Sequence, residues 1–226
     1  MQMESTHDKI LKAALKLFSE RGYSGVSMRE IAADVGIKAA SIYNHFHGKE
    51  DIFQALLDLM SEHYKASMQV IGLPAGWPEE NTESEINAPT PAKAGTAGSN
   101  AGFYADININ HLQLFARQLF LYMLKDDFAA RVRRMLTLEQ YRDSAASEAF
   151  HRWMFEEPLT YQSTLFRELI DKGFFIETDP DTCALHFYAP IYLLLSSYDH
   201  RPEREEEALG RLYAHIEAFA GHYVKN

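Results

Sequence analysis

Apolar residues return every three or four positions along almost the whole chain, and no alternating run is long enough for a strand. That spacing restricts the chain to an all-α fold. Ile10, Ala13, Ala14, Leu17 and Phe18 make one helical stripe, and Gly22 ends it as a C-cap glycine would. Ser27-Met28-Arg29-Glu30 reads as a capping box, with Ser27 at the N-cap and Glu30 at N3. The short helix it opens turns Ile31, Ala32 and Val35 inward and stops at Gly36. A third helix over about 39–45 puts Ile42 and Phe46 on one face. A long helix follows from Lys49 to about Ile71, with Ile52, Phe53, Leu56, Leu57 and Met60 as its stripe.

The composition then changes. Residues 72–102 are rich in Pro, Gly, Ala, Asn and Thr, and Trp77 is their one sizeable apolar anchor. This stretch is expected to be a flexible insertion or connection. Helical spacing resumes at about 104–125, 128–142, 145–154, 157–173, 181–199 and 203–224. Pro158 and Pro180 suit helix starts, whereas Pro190 falls inside an apolar helix and should bend it near Leu185 and His186.

With 226 residues the chain can bury a substantial core. The formal charge of −10 does not suggest a nucleic-acid binder, but it is unevenly spread. Residues 1–52 hold seven basic and seven acidic side chains, and the rest of the chain carries the whole excess. One cysteine, Cys183, excludes an internal disulfide framework and a Cys-rich zinc site. The polar start and the shortness of the longest apolar run (189–195) lead us to expect a cytoplasmic protein without a membrane span. The ten histidines fall in no H-E-x-x-H pattern, and there is no G-x-S-x-G or Gly-rich phosphate loop. No enzyme and no cofactor is therefore expected.

Helix, glycine turn, helix over residues 28–46 is the helix-turn-helix arrangement. The second helix begins with small residues, Ala39, Ala40 and Ser41, that allow close approach to a groove floor. Tyr43, Asn44, His45 and Lys49 follow as donors of different reach, a profile that fits major-groove docking with phosphate contacts at the flanks. Lys49 also opens the next helix, whose first amides can hold a phosphate oxygen. The histidines of His45-x-His47 do not face each other on a helix, and nothing nearby completes a metal set.

Residues 10–57, above all "LFSERGY", "SMREIAADVGI" and "SIYNHFHGKEDIF", resemble the DNA-binding domain of the TetR/AcrR family of bacterial transcriptional regulators. The resemblance implies a helix-turn-helix domain over 1–50, with the fourth helix leading into a ligand-binding and dimerisation domain over 51–226. It further implies a homodimeric repressor that binds a palindromic operator in double-stranded DNA and responds to a small-molecule effector. By position, Ser27, Tyr43, His45 and Lys49 match phosphate contacts, and Arg29, Ala39, Ala40, Ser41 and Asn44 match places near bases. Arg29 is the strongest candidate base reader, because a guanidinium can grip guanine with two hydrogen bonds. Lys38 departs from the usual capping Ser or Thr but could reach a phosphate, and Ala40 stands where the family often has Gly.

The later half is rich in aromatic residues, whose ordinary place is the core. Phe115, Leu119, Tyr122, Trp153, Tyr161 and His186 are the candidate ligand-pocket residues, for an effector expected to be hydrophobic or aromatic. Cys183 is read as core before redox sensor. The dimer seam is expected from the last two helices, through Leu185, Tyr188, Leu195, Tyr198, Leu212, Ile216 and Phe219. An interaction protein of the same fold that has lost operator binding is the alternative reading, motivated by the neutral first segment.

Overall fold

The computed structural model describes residues 5–70 and 109–225. The expected insertion at 72–102, Trp77 and the start of the helix expected from 104 lie outside the described residues. Within them the chain is helical, and β structure is confined to one isolated antiparallel bridge between Phe175 and Val224.

The N-terminal helices follow their local signals. α1 (Thr6–Arg21) is capped by Ser5, whose hydroxyl accepts from the Asp8 amide, and it ends at Gly22 with φ 78°. α2 (Met28–Val35) begins in a complete capping box, with Ser27 and Glu30 satisfying each other's amides, and ends at Gly36 in the left-handed region. α3 (Ala39–Ile42) is shorter than the periodicity suggests, although bonds from the His45 and Phe46 amides to the Ile42 carbonyl carry the turn to Phe46. Lys38 occupies its N-cap without a side-chain bond, since an ammonium group cannot accept from an amide. α4 spans Lys49–Val70.

The remaining helices are α5 (Ile109–Lys125), α6 (Asp127–Glu139), α7 (Ser144–His151), α8 (Glu157–Asp171), α9 (Pro180–Tyr198) and α10 (Glu205–Tyr223). Asp126, Asp143 and Asp179 cap α6, α7 and α9 through bonds to the amides of Ala129, Ala146 and Thr182. The gap expected between α7 and α8 is instead a π-helical turn, Arg152–Glu156, just before Pro158. Proline has no N–H to continue the ordinary ladder, and a π turn absorbs the mismatch. α9 runs through Pro190 as one helix.

Two compact units divide the chain: Met1–Met68 with Leu119–Pro158, and Gln69–Gln118 with Leu159–Asn226. α1 packs along α6 as well as α2, which groups the 119–158 segment with the N-terminal helices. The first unit buries Ile10, Phe18, Ile31, Ile42, Ile52, Leu56, Met135 and Leu136. The second is built on aromatic residues: Phe166, Phe175, Phe187 and Phe219 pack with ring centroids 5.2–6.1 Å apart. Each fully buried large side chain of this kind contributes about 1.5–3 kcal/mol.

Candidate nucleic-acid interface

α3 is too short to be stable alone and is held from beneath. Ile42 is fully buried, and Phe46 just beyond it is 5% exposed and stacks on His7 at 4.7 Å. With that face committed, the opposite one is open. Arg29, Lys38, Ala40, Asn44 and His45 are exposed, Ala39 and Ser41 are half-buried, and Tyr43 keeps 54% of its surface. A tyrosine left this open on a short, anchored helix is unusual for core packing and suited to a phosphate.

Ser27 is held in place by its neighbours. Its amide and hydroxyl both donate to Glu30 Oε2, at 2.8 and 2.7 Å, and its hydroxyl accepts from the Glu30 amide. Arg21 in turn donates to Glu30 Oε1 at 2.6 Å and to the Gly25 carbonyl at 2.8 Å. The Arg21 hydrogen bond, followed by those from Ser27, holds the Glu30 carboxyl at about 2.

Lys49 behaves differently from its sequence reading. Its amine donates to the Tyr23 carbonyl at 2.8 Å and lies 4.3 Å from the centre of the Tyr23 ring. It therefore braces the α1–α2 loop in this conformation, and what it offers outward is the amide end of α4. Burial, then the Glu50 carboxylate, push the Tyr23 phenol above its ordinary value. His47 is exposed, and its amide donates to Asp51 Oδ2 at 2.8 Å, so its backbone serves the start of α4.

The six candidate pocket residues do not share one unit. Leu119, Tyr122 and Trp153 belong to the first, Phe115, Tyr161 and His186 to the second. Phe115 stacks on Phe187 at 5.8 Å. Tyr161 and Gln162 each bury a polar atom, the hydroxyl and Oε1, that finds no hydrogen-bond partner, and burial pushes the Tyr161 phenol up to about 12. His186 is set apart from this chemistry: it is exposed and bonded at 2.5 Å to the Tyr223 hydroxyl, beside His215 and His222 along α9 and α10. Cys183 is fully buried and burial pushes its thiol up to about 12, which leaves little reactive thiolate.

The expected seam also divides. Tyr188, Leu195, Tyr198, Leu212, Ile216 and Phe219 are 0–5% exposed within the unit, whereas Leu185 is 53% exposed. Sequence reasoning missed Leu193, 64% exposed, because α9 is apolar on all sides and its period cannot separate an inner from an outer face. It also missed Glu139, fully buried on α6 and bonded to Ser24, a partner too distant in sequence to leave a local signal.

A capped helix, a glycine turn and a small-faced second helix, in a chain whose described residues are mostly helical, define the class: a helix-turn-helix protein. The family model "Bacterial regulatory proteins, tetR family" matches residues 10–56, the helix-turn-helix segment. Over 47 residues the chain is 49% identical to the biofilm operon icaADBC HTH-type negative transcriptional regulator IcaR of Staphylococcus aureus. The IcaR of Staphylococcus epidermidis is 47% identical over the same length. Those matches span 21% of this chain and only 25% of the curated relatives. Whole-chain similarity comes from solved structures. A TetR-family transcriptional regulator from Mesorhizobium loti aligns with a TM-score of 0.66 at 21% identity, covering 97% of each chain. SmeT, the repressor of the Stenotrophomonas maltophilia efflux pump SmeDEF, aligns with a TM-score of 0.62 at 17% identity, over 99% of this chain and 92% of that one. At these identities the structural likeness establishes the fold.

Proposed function

We propose that this protein is an effector-responsive transcriptional repressor that binds a palindromic operator as a homodimer. The observation that carries the reading is the exposed face of α3, where Tyr43, Asn44 and His45 stand clear of a buried Ile42. Ser27, Tyr43, His45, Lys38 and the α4 start beginning at Lys49 take the phosphates. Arg29, Ala39, Ala40, Ser41 and Asn44 meet the groove, with Arg29 as base reader. The similarity of a 47-residue stretch to a negative transcriptional regulator supports repression.

Dimerisation uses the outer face of α9 and α10. Leu185, Ala189 and Leu193 line up at i, i+4 and i+8, beside exposed Gly210, Ala214 and Ala218. Small residues there let a second copy approach closely, and on DNA the two α3 helices of a two-fold pair stand roughly 34–36 Å apart, or somewhat more, in successive major grooves. The effector is a small molecule with an apolar body and a polar group to satisfy the buried Tyr161 hydroxyl and Gln162 Oε1. AibR, a structural neighbour at TM-score 0.58 and 18% identity, is recorded with isovaleryl coenzyme A and operator DNA.

The test is selection of duplexes from a random-sequence pool by the purified protein, followed by affinity across salt. Enrichment of a two-fold symmetric sequence, with affinity that falls steeply with salt, supports the reading. Loss of that binding in Tyr43→Ala, with the oligomeric state kept, assigns it to α3. Absence of enrichment at low salt favours the alternative, an interaction protein of the same fold.

A further inference from the structure

The loop between α1 and α2, residues 22–26, delivers Ser27 to its place and is held by three side chains. Arg21 takes the Gly25 carbonyl and Lys49 the Tyr23 carbonyl. The third hold is on Ser24. The Glu139 carboxyl accepts from the Ser24 hydroxyl at 3.0 Å through Oε2 and from the Ser24 amide at 3.3 Å through Oε1. Of the three, Glu139 alone lies outside residues 10–56. It sits in the last turn of α6, is 0% exposed, and has the Arg142 guanidinium 3.8 Å away. The loop closes over it so tightly that a Cβ on Gly22 would fall 2.4 Å from Oε1.

A buried carboxyl is costly unless its oxygens are satisfied, so it belongs where it does a job that an apolar residue cannot do. We propose that Glu139 is a positioning residue for DNA binding: through Ser24 it fixes the α1–α2 loop, and through the loop the capped N-terminus of α2. The inference rests on the DNA-binding reading above. α6 also touches the N-terminal helices at two further points. At its start Asp126 caps α6 and bonds His63 of α4 at 2.9 Å, and midway Arg131 lies 3.9 Å from Glu20 of α1. The path from the end of α6 to the start of α2 is therefore short: the Glu139–Ser24 hydrogen bonds, then the backbone from Ser24 to Ser27.

The sign of the effect separates positioning from charge. A carboxylate beside DNA opposes phosphate binding, so its simple removal should strengthen association. Positioning requires the reverse. Glu139→Ala, Glu139→Gln and Ser24→Ala are compared with the wild type on the duplex that the wild type selects from a random pool. Amide hydrogen exchange is followed on the same full-length proteins. Glu139→Ala should bind at least about tenfold more weakly, the scale of a lost charged hydrogen bond, and should exchange faster over residues 24–30. Glu139→Gln keeps an acceptor oxygen and should stay within about threefold of wild type. If Glu139→Ala does not fold, Ser24→Ala carries the same expectation of weaker binding. Equal or tighter binding by the folded Ala variants, or unchanged exchange at 24–30, overturns the inference. A wild type that selects no duplex instead removes the DNA-binding reading itself, and exchange alone then decides whether Glu139 holds the loop.

Discussion

Gly22→Ala probes the packing around Glu139 directly. Gly22 has φ 78° and ψ 154°, a region open almost only to glycine, and a side chain there costs about 1–3 kcal/mol. The new Cβ also falls 2.4 Å from Glu139 Oε1. The carboxyl is fully buried, so it must move within a closed space and give up its bonds to Ser24. Leaving such a buried acceptor unsatisfied costs about 1–3 kcal/mol more. The sum, about 2–6 kcal/mol, is a large share of a domain stability of about 5–15 kcal/mol. Gly36→Ala is the control: it shares φ 78°, but ψ is 28° and the space is open, so strain of about 1–2 kcal/mol is all it adds. Urea unfolding of both variants, each repeated in a Glu139→Ala background, isolates the term. Gly22→Ala should cost more than Gly36→Ala, and the excess should shrink once Glu139 is gone. Equal costs in the parent, or an excess untouched by Glu139→Ala, would refute the reasoning.

Other expectations follow from single observations. Tyr43→Ala, at a site 54% exposed, should leave thermal unfolding within about 0.5 kcal/mol while weakening DNA binding at least about tenfold in a gel-shift titration. Leu193→Glu places a charge on a residue 64% exposed in the single chain, so sedimentation should show a folded monomer for the variant and a dimer for the parent. The Glu30 carboxyl is held at about 2, below its ordinary value, by Arg21 and Ser27. Its contribution to stability is therefore complete above the unfolded value near 4.5 and lost as pH falls towards 2. Acid unfolding of Glu30→Gln should lack that component, and matching acid profiles would contradict it. Burial lowers the His215 pKa, against the hydrogen bond to the Phe187 carbonyl, so protonation opposes the folded state. The stability of the α9–α10 pair should fall as pH drops below the ordinary histidine value of 6.5, and His215→Gln should flatten that dependence in a melting series.

What could be read in advance was local. The Ser27–Glu30 capping box and the glycines at positions 22 and 36 depend on residues within one turn, and they appear in the structure as their sequence spacing suggests. Helix limits at 127–139, 157–171 and 180–198 fall within about three residues of the periodic pattern for the same reason. The π turn at 152–156 was not legible, because it depends on how Pro158 is accommodated between two helices that the period alone leaves separate. The position of Lys49 suggests a phosphate donor, yet its amine turns back to Tyr23, a choice settled by the shape of the α1–α2 loop. The pairing of Ser24 with Glu139 joins segments 115 residues apart, and no periodicity reports on it. The outer face of α9 was hidden by uniform apolarity: Leu193 is exposed and Leu195 buried, two residues of one kind separated by their rotation on the helix.

DNA reading through a paired α3 is open to direct test. Hydroxyl-radical footprinting of the full-length protein on its own selected duplex tests it most directly. Two protected patches related by two-fold symmetry are expected, centred roughly 34–36 Å apart or somewhat more along one face of the helix, both lost in Tyr43→Ala. Uniform protection, or a footprint that survives Tyr43→Ala unchanged, would contradict it.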